Sequence, residues 1–138
     1  MYLFDTNLIS EIRRLNFGKC NLGVKNWIQT IPPEQIYTNA IVMMELERGV
    51  LGKERKDPEQ GKVLRNWFEN FVKPTFEEKI LDIDTATASI CARLHVPDKS
   101  PENDAWIAAT ALRYNLTLVT RNTKDFEHMG IKLLNPFT

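Results

Sequence analysis

The sequence predicts an α/β fold in which a parallel sheet is layered between helices. Short runs of strand-forming residues (1–4, 35–38, 79–83, 116–120 and 131–134) alternate with segments whose apolar residues recur at helical spacing. The 138 residues are enough for one domain, expected to span 1–138, with a real core. Clusters of Pro, Gly and Asn punctuate the chain, which contains no repeat, low-complexity tract or linker.

Residues 1–4 read as the first strand, stopping at Asp5. Beyond it Leu8, Ile9 and Ile12 set a helical phase, so Asp5 belongs at a strand-to-helix junction. In open α/β sheets ligands bind at such carboxyl ends of strands, which makes Asp5 a candidate ligand or nucleophile. Asp is also an ordinary helix N-cap, and Asp5 by itself does not choose between the roles. Residues 16–23 are loop-like, and 24–31 read as a short helix stopped by Pro32-Pro33. The second strand, 35–38, leads into a helix through Ile41, Val42, Leu46 and Val50. The stretch Lys53-Glu54-Arg55-Lys56-Asp57-Pro58 predicts an interruption, after which Leu64, Trp67, Phe68 and Phe71 mark a second helix. Together these form a helical hairpin. A strand at 79–83, a helix at 85–94, a loop at 96–101 and an alanine-rich helix at 104–114 follow. A strand of high β propensity at 116–120 and a short one at 131–134 complete the sheet.

Helical phase singles out two further acids. In the helix after the second strand one stripe reads Thr38, Ile41, Val42, Glu45, Leu46, Gly49, Val50, and Glu45 is its only charge. A carboxylate facing the sheet is costly unless it is paired, hydrogen-bonded or metal-bound. In the later helix the stripe is Asp104, Ile107, Ala108, Ala111, Leu112, with Asp104 in the first turn. Glu102 lies roughly 200 degrees around that helix and needs no role beyond favouring its dipole. After the strand at 116–120, Asn122 is expected as an N-cap with Asp125 three residues on, a capping arrangement that requires no chemistry, the alternative being that the segment places polar groups at the same strand-end crevice as Asp5.

Lys plus Arg equals Asp plus Glu at 18 each, so no global basic field announces a polyanion binder. Cys20 and Cys91 have neither metal-type spacing nor a disulfide framework, which suits a cytoplasmic location. His95 and His128 look isolated, and no signal peptide or membrane span is expected. If Asp5, Glu45 and Asp104 meet at the sheet edge, ionised pairs about 5 Å apart repel by roughly 3 kcal/mol at an effective dielectric of 20. Such a cluster takes up protons or a cation. Oxygen-only ligands select Mg²⁺ or Mn²⁺ over zinc, and that chemistry points to phosphodiester hydrolysis.

Four motifs stand in one order along the chain: Asp5-Thr6-Asn7, Glu45-Leu46-Glu47-Arg48-Gly49, Asn103-Asp104-Ala105-Trp106-Ile107-Ala108-Ala109 and Thr120-Arg121-Asn122-Thr123-Lys124-Asp125-Phe126. In this they resemble PIN-domain ribonucleases, and among these the VapC and FitB toxins of bacterial type II toxin-antitoxin systems. The resemblance implies a three-layer α/β/α fold with a parallel, roughly five-stranded sheet and a helical hairpin. It also implies a Mg²⁺- or Mn²⁺-dependent endoribonuclease with Asp5, Glu45 and Asp104 as its acidic site, supported by Thr6, Thr120 and Asn122. Many relatives have a fourth acid at the position of Asn122, so a firmly held second ion is in doubt here. Relatives form homodimers and are silenced by a small cognate antitoxin. Lys53, Arg55, Lys56, Lys62 and Arg65 on the hairpin are candidate RNA contacts, against the reading of a solvated surface diluted by Glu54, Asp57 and Glu59. The alternatives are a receiver-like phosphoacceptor domain, which would need an early acidic pair and a Lys ending a late strand, and a catalytically inactive RNA-binding PIN protein.

Overall fold

In the computed structural model, which describes residues 1–138, the first strand is β1 (Tyr2–Phe4). Asp5 closes it and caps α1 (Thr6–Arg13), its Oδ1 accepting the Leu8 amide at 3.1 Å. A 3-10 turn, Arg14–Phe17, reverses the chain at Gly18, whose φ of 67° is the left-handed conformation that glycine adopts freely. Next comes α2 (Leu22–Ile28), which starts earlier than expected because Asn21 accepts the Val24 amide as its cap.

The second strand, β2 (Ile36–Asn39), ends in Asn39, which caps α3 (Ala40–Lys56) through the Val42 amide. The predicted interruption at 53–58 shrinks to one residue. Lys53, Glu54, Arg55 and Lys56 are good helix formers, and the cations among them sit where the helix dipole favours positive charge. Asp57 alone breaks the helix and caps α4 (Pro58–Trp67), with Pro58 at its first position. The two helices cross tightly at Gly61, where a Cβ would lie 2.4 Å from the Glu54 Cα. A π-helical turn, Phe68–Val72, and one turn of helix, α5 (Lys73–Thr75), lead to β3 (Ile80–Leu81). Then come α6 (Thr85–Leu94), α7 (Glu102–Arg113), β4 (Thr117–Val119), two 3-10 turns and β5 (Leu133–Leu134).

All strand pairings are parallel, in the order β3-β2-β1-β4-β5. The connections run to one side of β1 first and to the other later, so the strand order reverses between β1 and β4, and the crevice beyond their carboxyl ends is the switch point. Leu3, Phe4, Leu118 and Val119 of these strands are fully buried among residues from α1, α3 and the turn after α4. Buried polar groups lock the frame: the Thr38 hydroxyl donates to the Phe4 carbonyl, and Asn39 Nδ2 donates to Thr110 Oγ1 at 2.9 Å. The second bond ties the start of α3 to α7. No helix is long and apolar enough to cross a membrane.

Candidate active site

Beyond the switch point lies a cleft of about 440 Å³ bordered by Asp5, Glu45, Asp104, Asn122 and Asp125, with a polar face of α1 as its remaining wall. The strand-end acid and the two inward-phased acids therefore share one cleft, although they stand 40 and 59 residues apart in sequence (45 − 5 and 104 − 45).

Asp5 is only 5% exposed. Burial pushes its carboxyl up to about 6, the charges of Glu45 and Asp104 add to the rise, and hydrogen bonds from Thr120 and the Leu8 amide oppose it. The cap and the cleft acid are thus the same residue. Thr120 is buried at the end of β4, and its one hydroxyl proton serves Asp5. Its oxygen accepts the Asn122 amide at 3.0 Å and faces Asn7 Nδ2 at 3.5 Å. Asn7 in turn accepts the Arg121 amide, pinning α1 to the segment after β4.

Glu45 is half-buried and held from two sides: Thr6 Oγ1 donates to Oε1 at 2.5 Å and Asn103 Nδ2 donates to Oε2 at 3.1 Å. One carboxylate thereby spans α1, α3 and α7. Asp104 is also half-buried, and its carboxyl is raised by burial first, then by Asp125 and by Glu45. The expected capping by Asn122 is absent. Its ψ of 56° lies outside the extended range that a cap needs, its side chain makes no cap bond, and Thr120 takes its amide. Asp125 consequently faces the cleft as a further acid.

Sequence reasoning missed the wall formed by α1 and the start of the turn after it: Asn7, Ser10, Glu11 and Arg14. These recur at i, i+3, i+4 and i+7, a polar stripe that helical phase reveals once it is sought. Glu11 is buried and accepts the Asn21 amide at 2.7 Å; Arg14, 3.5 Å from Glu11, is the one cation bordering the cleft.

The basic residues of the hairpin do not reach this cleft. Lys53, Arg55, Lys56 and Lys62 are exposed elsewhere. Arg65, expected among the RNA contacts, is instead engaged by Glu54 and Glu47 at 2.9 Å each and by Glu69 at 3.4 Å. The packing of α4 on α3 aims it at those glutamates. His95, expected to stand alone, accepts the Ser100 amide at 3.0 Å and faces Cys91 and Glu102.

Residues 2–132 match the PIN domain. The chain belongs to the PIN-domain family. It is 33% identical to toxin FitB of Neisseria gonorrhoeae, with 99% of each chain covered. It is 30% identical to the VapC ribonuclease Y4jK of Sinorhizobium fredii over 99% of this chain and 98% of that one. The crystal structure of FitAcB from Neisseria gonorrhoeae superposes with a TM-score of 0.88 at 32% identity, covering 99% of this chain and 98% of that one. The expected five-stranded parallel sheet flanked by helices is thus the PIN architecture. A receiver-like domain is not favoured: two of the grouped acids lie on α3 and α7, and Lys132 does not face the cleft. In PIN-domain terms this chain presents acids of oxygen-only chemistry around a polar crevice, with an amide at Asn122.

Proposed function

We propose that this PIN domain is a Mg²⁺- or Mn²⁺-dependent endoribonuclease and the toxin of a type II toxin-antitoxin system. The observation that carries this is the gathering of Asp5, Glu45 and Asp104 in one cleft with Asp5 buried and driven towards neutrality. Charge assembled at that cost fits a site that receives a cation. The donor set is all oxygen, as hard divalent ions require. Relatives named toxin and VapC ribonuclease support the same reading.

Asp5, Glu45 and Asp104 would hold the ion. When bound, it supplies a Lewis acid that lowers the pKa of water and neutralises charge on a phosphodiester. The protein's own groups do the arranging. Thr6 and Asn103 fix both oxygens of Glu45, and Thr120 orients Asp5. Arg14, at the edge of the cleft, is positioned to meet a phosphate of an incoming strand. Asn122 offers an oxygen without a charge, which favours one firmly held ion.

A small antitoxin is the proposed partner, in keeping with solved neighbours that are toxin-antitoxin complexes. A second groove of about 320 Å³, where Phe17, Val63, Trp67 and Phe71 stand among Arg13 and three asparagines, offers it a seat of mixed apolar and polar character. The proposed location is cytoplasmic, and the proposed assembly a homodimer.

Purified protein freed of any partner is expected to cleave RNA with Mg²⁺ or Mn²⁺ and to stop with EDTA. Growth arrest on expression, relieved by coexpression of a neighbouring small gene, marks a toxin. Binding of RNA without any metal-dependent cleavage would instead favour an inactive PIN protein.

A further inference from the structure

The packing of α6 on α7 assembles a second group of donor atoms outside the cleft. Cys91 and His95 are four residues apart and share one face of α6, and Glu102 opens α7. Cys91 Sγ lies 3.9 Å from His95 Nε2, and Glu102 Oε2 lies 3.7 Å from the same nitrogen. The three donor atoms all fall within 4.8 Å of one another. None of these residues borders the acidic cleft.

We propose that Cys91, His95 and Glu102 form a site for a borderline-soft divalent cation of the Zn²⁺ class, distinct from the acidic cleft. One thiolate, one imidazole and one carboxylate suit zinc and disfavour Mg²⁺, which takes oxygen donors only. With a Zn–S distance of about 2.3 Å and Zn–N of about 2.0–2.1 Å, tetrahedral ligands stand roughly 3.3–3.7 Å apart. The observed spacings are slightly wider, and the Glu102 side chain, 58% exposed, is free to swing inward. Three protein ligands leave a fourth position for water. Cys91 is buried beside Ala105 and Ala109, which gives the site an apolar floor, while Glu102 marks its solvent entrance.

On binding, the Cys91 thiol releases its proton to solvent and the sulfur becomes the metal-bound thiolate. Without metal, the Ser100 amide donates to His95 Nδ1, so the neutral ring carries its proton on Nε2. Coordination through Nε2 moves that proton to Nδ1, and the Ser100 amide must turn away. Ser100 belongs to the segment joining α6 to α7, so the Ser100 amide reports directly on occupancy.

Co²⁺ titrated into the full chain tests the site, because thiolate ligation gives a near-ultraviolet charge-transfer band that an all-oxygen cleft cannot produce. The band is expected in the unsubstituted protein, in Cys20→Ser and in Asp5→Asn, and Zn²⁺ should displace it. Cys91→Ser should abolish it. The surface variant Glu102→Gln, whose fold is not at issue, should weaken Co²⁺ binding about 10-fold or more, as should His95→Gln. Zn²⁺ should also shift the Ser100 amide resonance. The site is refuted by saturating Co²⁺ without a charge-transfer band, by an unchanged band in Cys91→Ser, or by a Ser100 amide that ignores Zn²⁺. None of these readouts depends on ribonuclease activity.

Discussion

Two regions of this protein gather carboxylates from separate elements, and only one of them contains its own counter-charge. On the hairpin, Glu47 and Glu54 of α3 and Glu69 beyond α4 surround Arg65. In the cleft, Asp5, Glu45, Asp104 and Asp125 converge with no cation among them, and Arg14 stands only at the edge. The acids respond oppositely. Glu54 is held below its usual range by the Arg65 hydrogen bond, and Glu69 by Lys73 and Arg65. Asp5 is pushed up to about 6 and Asp104 is also raised, both chiefly by burial. The hairpin acids are paired with Arg65 and Lys73, whereas the cleft's one cation, Arg14, is paired with Glu11 and leaves the four converging acids without a partner, which supports the proposed metal site there.

The largest expected effect tests that asymmetry directly. Asp5→Asn or Asp104→Asn removes a proposed metal ligand and should lower metal-dependent RNA cleavage by more than about 100-fold, with far-ultraviolet circular dichroism unchanged. Cleavage retained at the original rate in either variant sinks the assignment.

The next prediction concerns stability. The folded-state pKa of Asp5 lies above its ordinary value, so its contribution to stability is intact below pH about 4 and is lost as pH rises through about 6. In EDTA at pH 7.5, Asp5→Asn should therefore be more stable than the parent by roughly 2–3 kcal/mol, and near pH 4 the difference should vanish. Saturating Mn²⁺ should reverse the order, because the parent alone gains the full binding energy. Equal denaturation midpoints at pH 7.5 without metal would mean that burial does not strain Asp5.

The comparison also shows what was readable in the chain. Asp5, Glu45 and Asp104 were legible because a strand end and a helical phase each report a position relative to the sheet. The five strands were legible because short β-forming runs stood between helical ones. Asp125 was left between a helix cap and a place in the crevice, since a 3-10 turn has too few residues to carry a phase that would decide it. The Asn7, Ser10, Glu11, Arg14 face carries no signal of its own in the sequence, because it becomes part of a cleft only through residues contributed by distant elements such as α7. Leu112 was expected inside and is 38% exposed: α7 buries a broad alanine-rich surface, with Cys91 of α6 packed on Ala105 and Ala109. The partners of Arg65 were not legible because they depend on α3 running unbroken to Lys56 and laying Glu47 and Glu54 alongside α4.

Positioning differs between the regions as well. The hairpin acids are held by charge, whereas Glu45 is held by two neutral donors, Thr6 and Asn103. Thr6→Val keeps the shape and removes one donor, so metal affinity or cleavage should fall about 10-fold, less than for loss of a ligand. Thr6→Ser should restore most of it. A Thr6→Val protein with unchanged metal titration would show that Asn103 alone orients the carboxylate.

The smallest effect is expected where the charges are already matched. Arg65→Gln breaks contacts that are largely open to solvent, and surface ion pairs contribute little singly. Cleavage should stay at the parental rate, because Arg65 lies outside the cleft and its guanidinium is occupied by glutamates. The small loss in melting temperature should shrink further as salt rises, since screening already weakens the pairs in the parent. A salt-independent loss would shift the weight to packing, because the guanidinium also lies 6.0 Å from the centre of the buried Phe68 ring. A fall in cleavage comparable to that of Thr6→Val, at unchanged stability, would return Arg65 to the RNA surface and end the division between a complete cluster and an incomplete one.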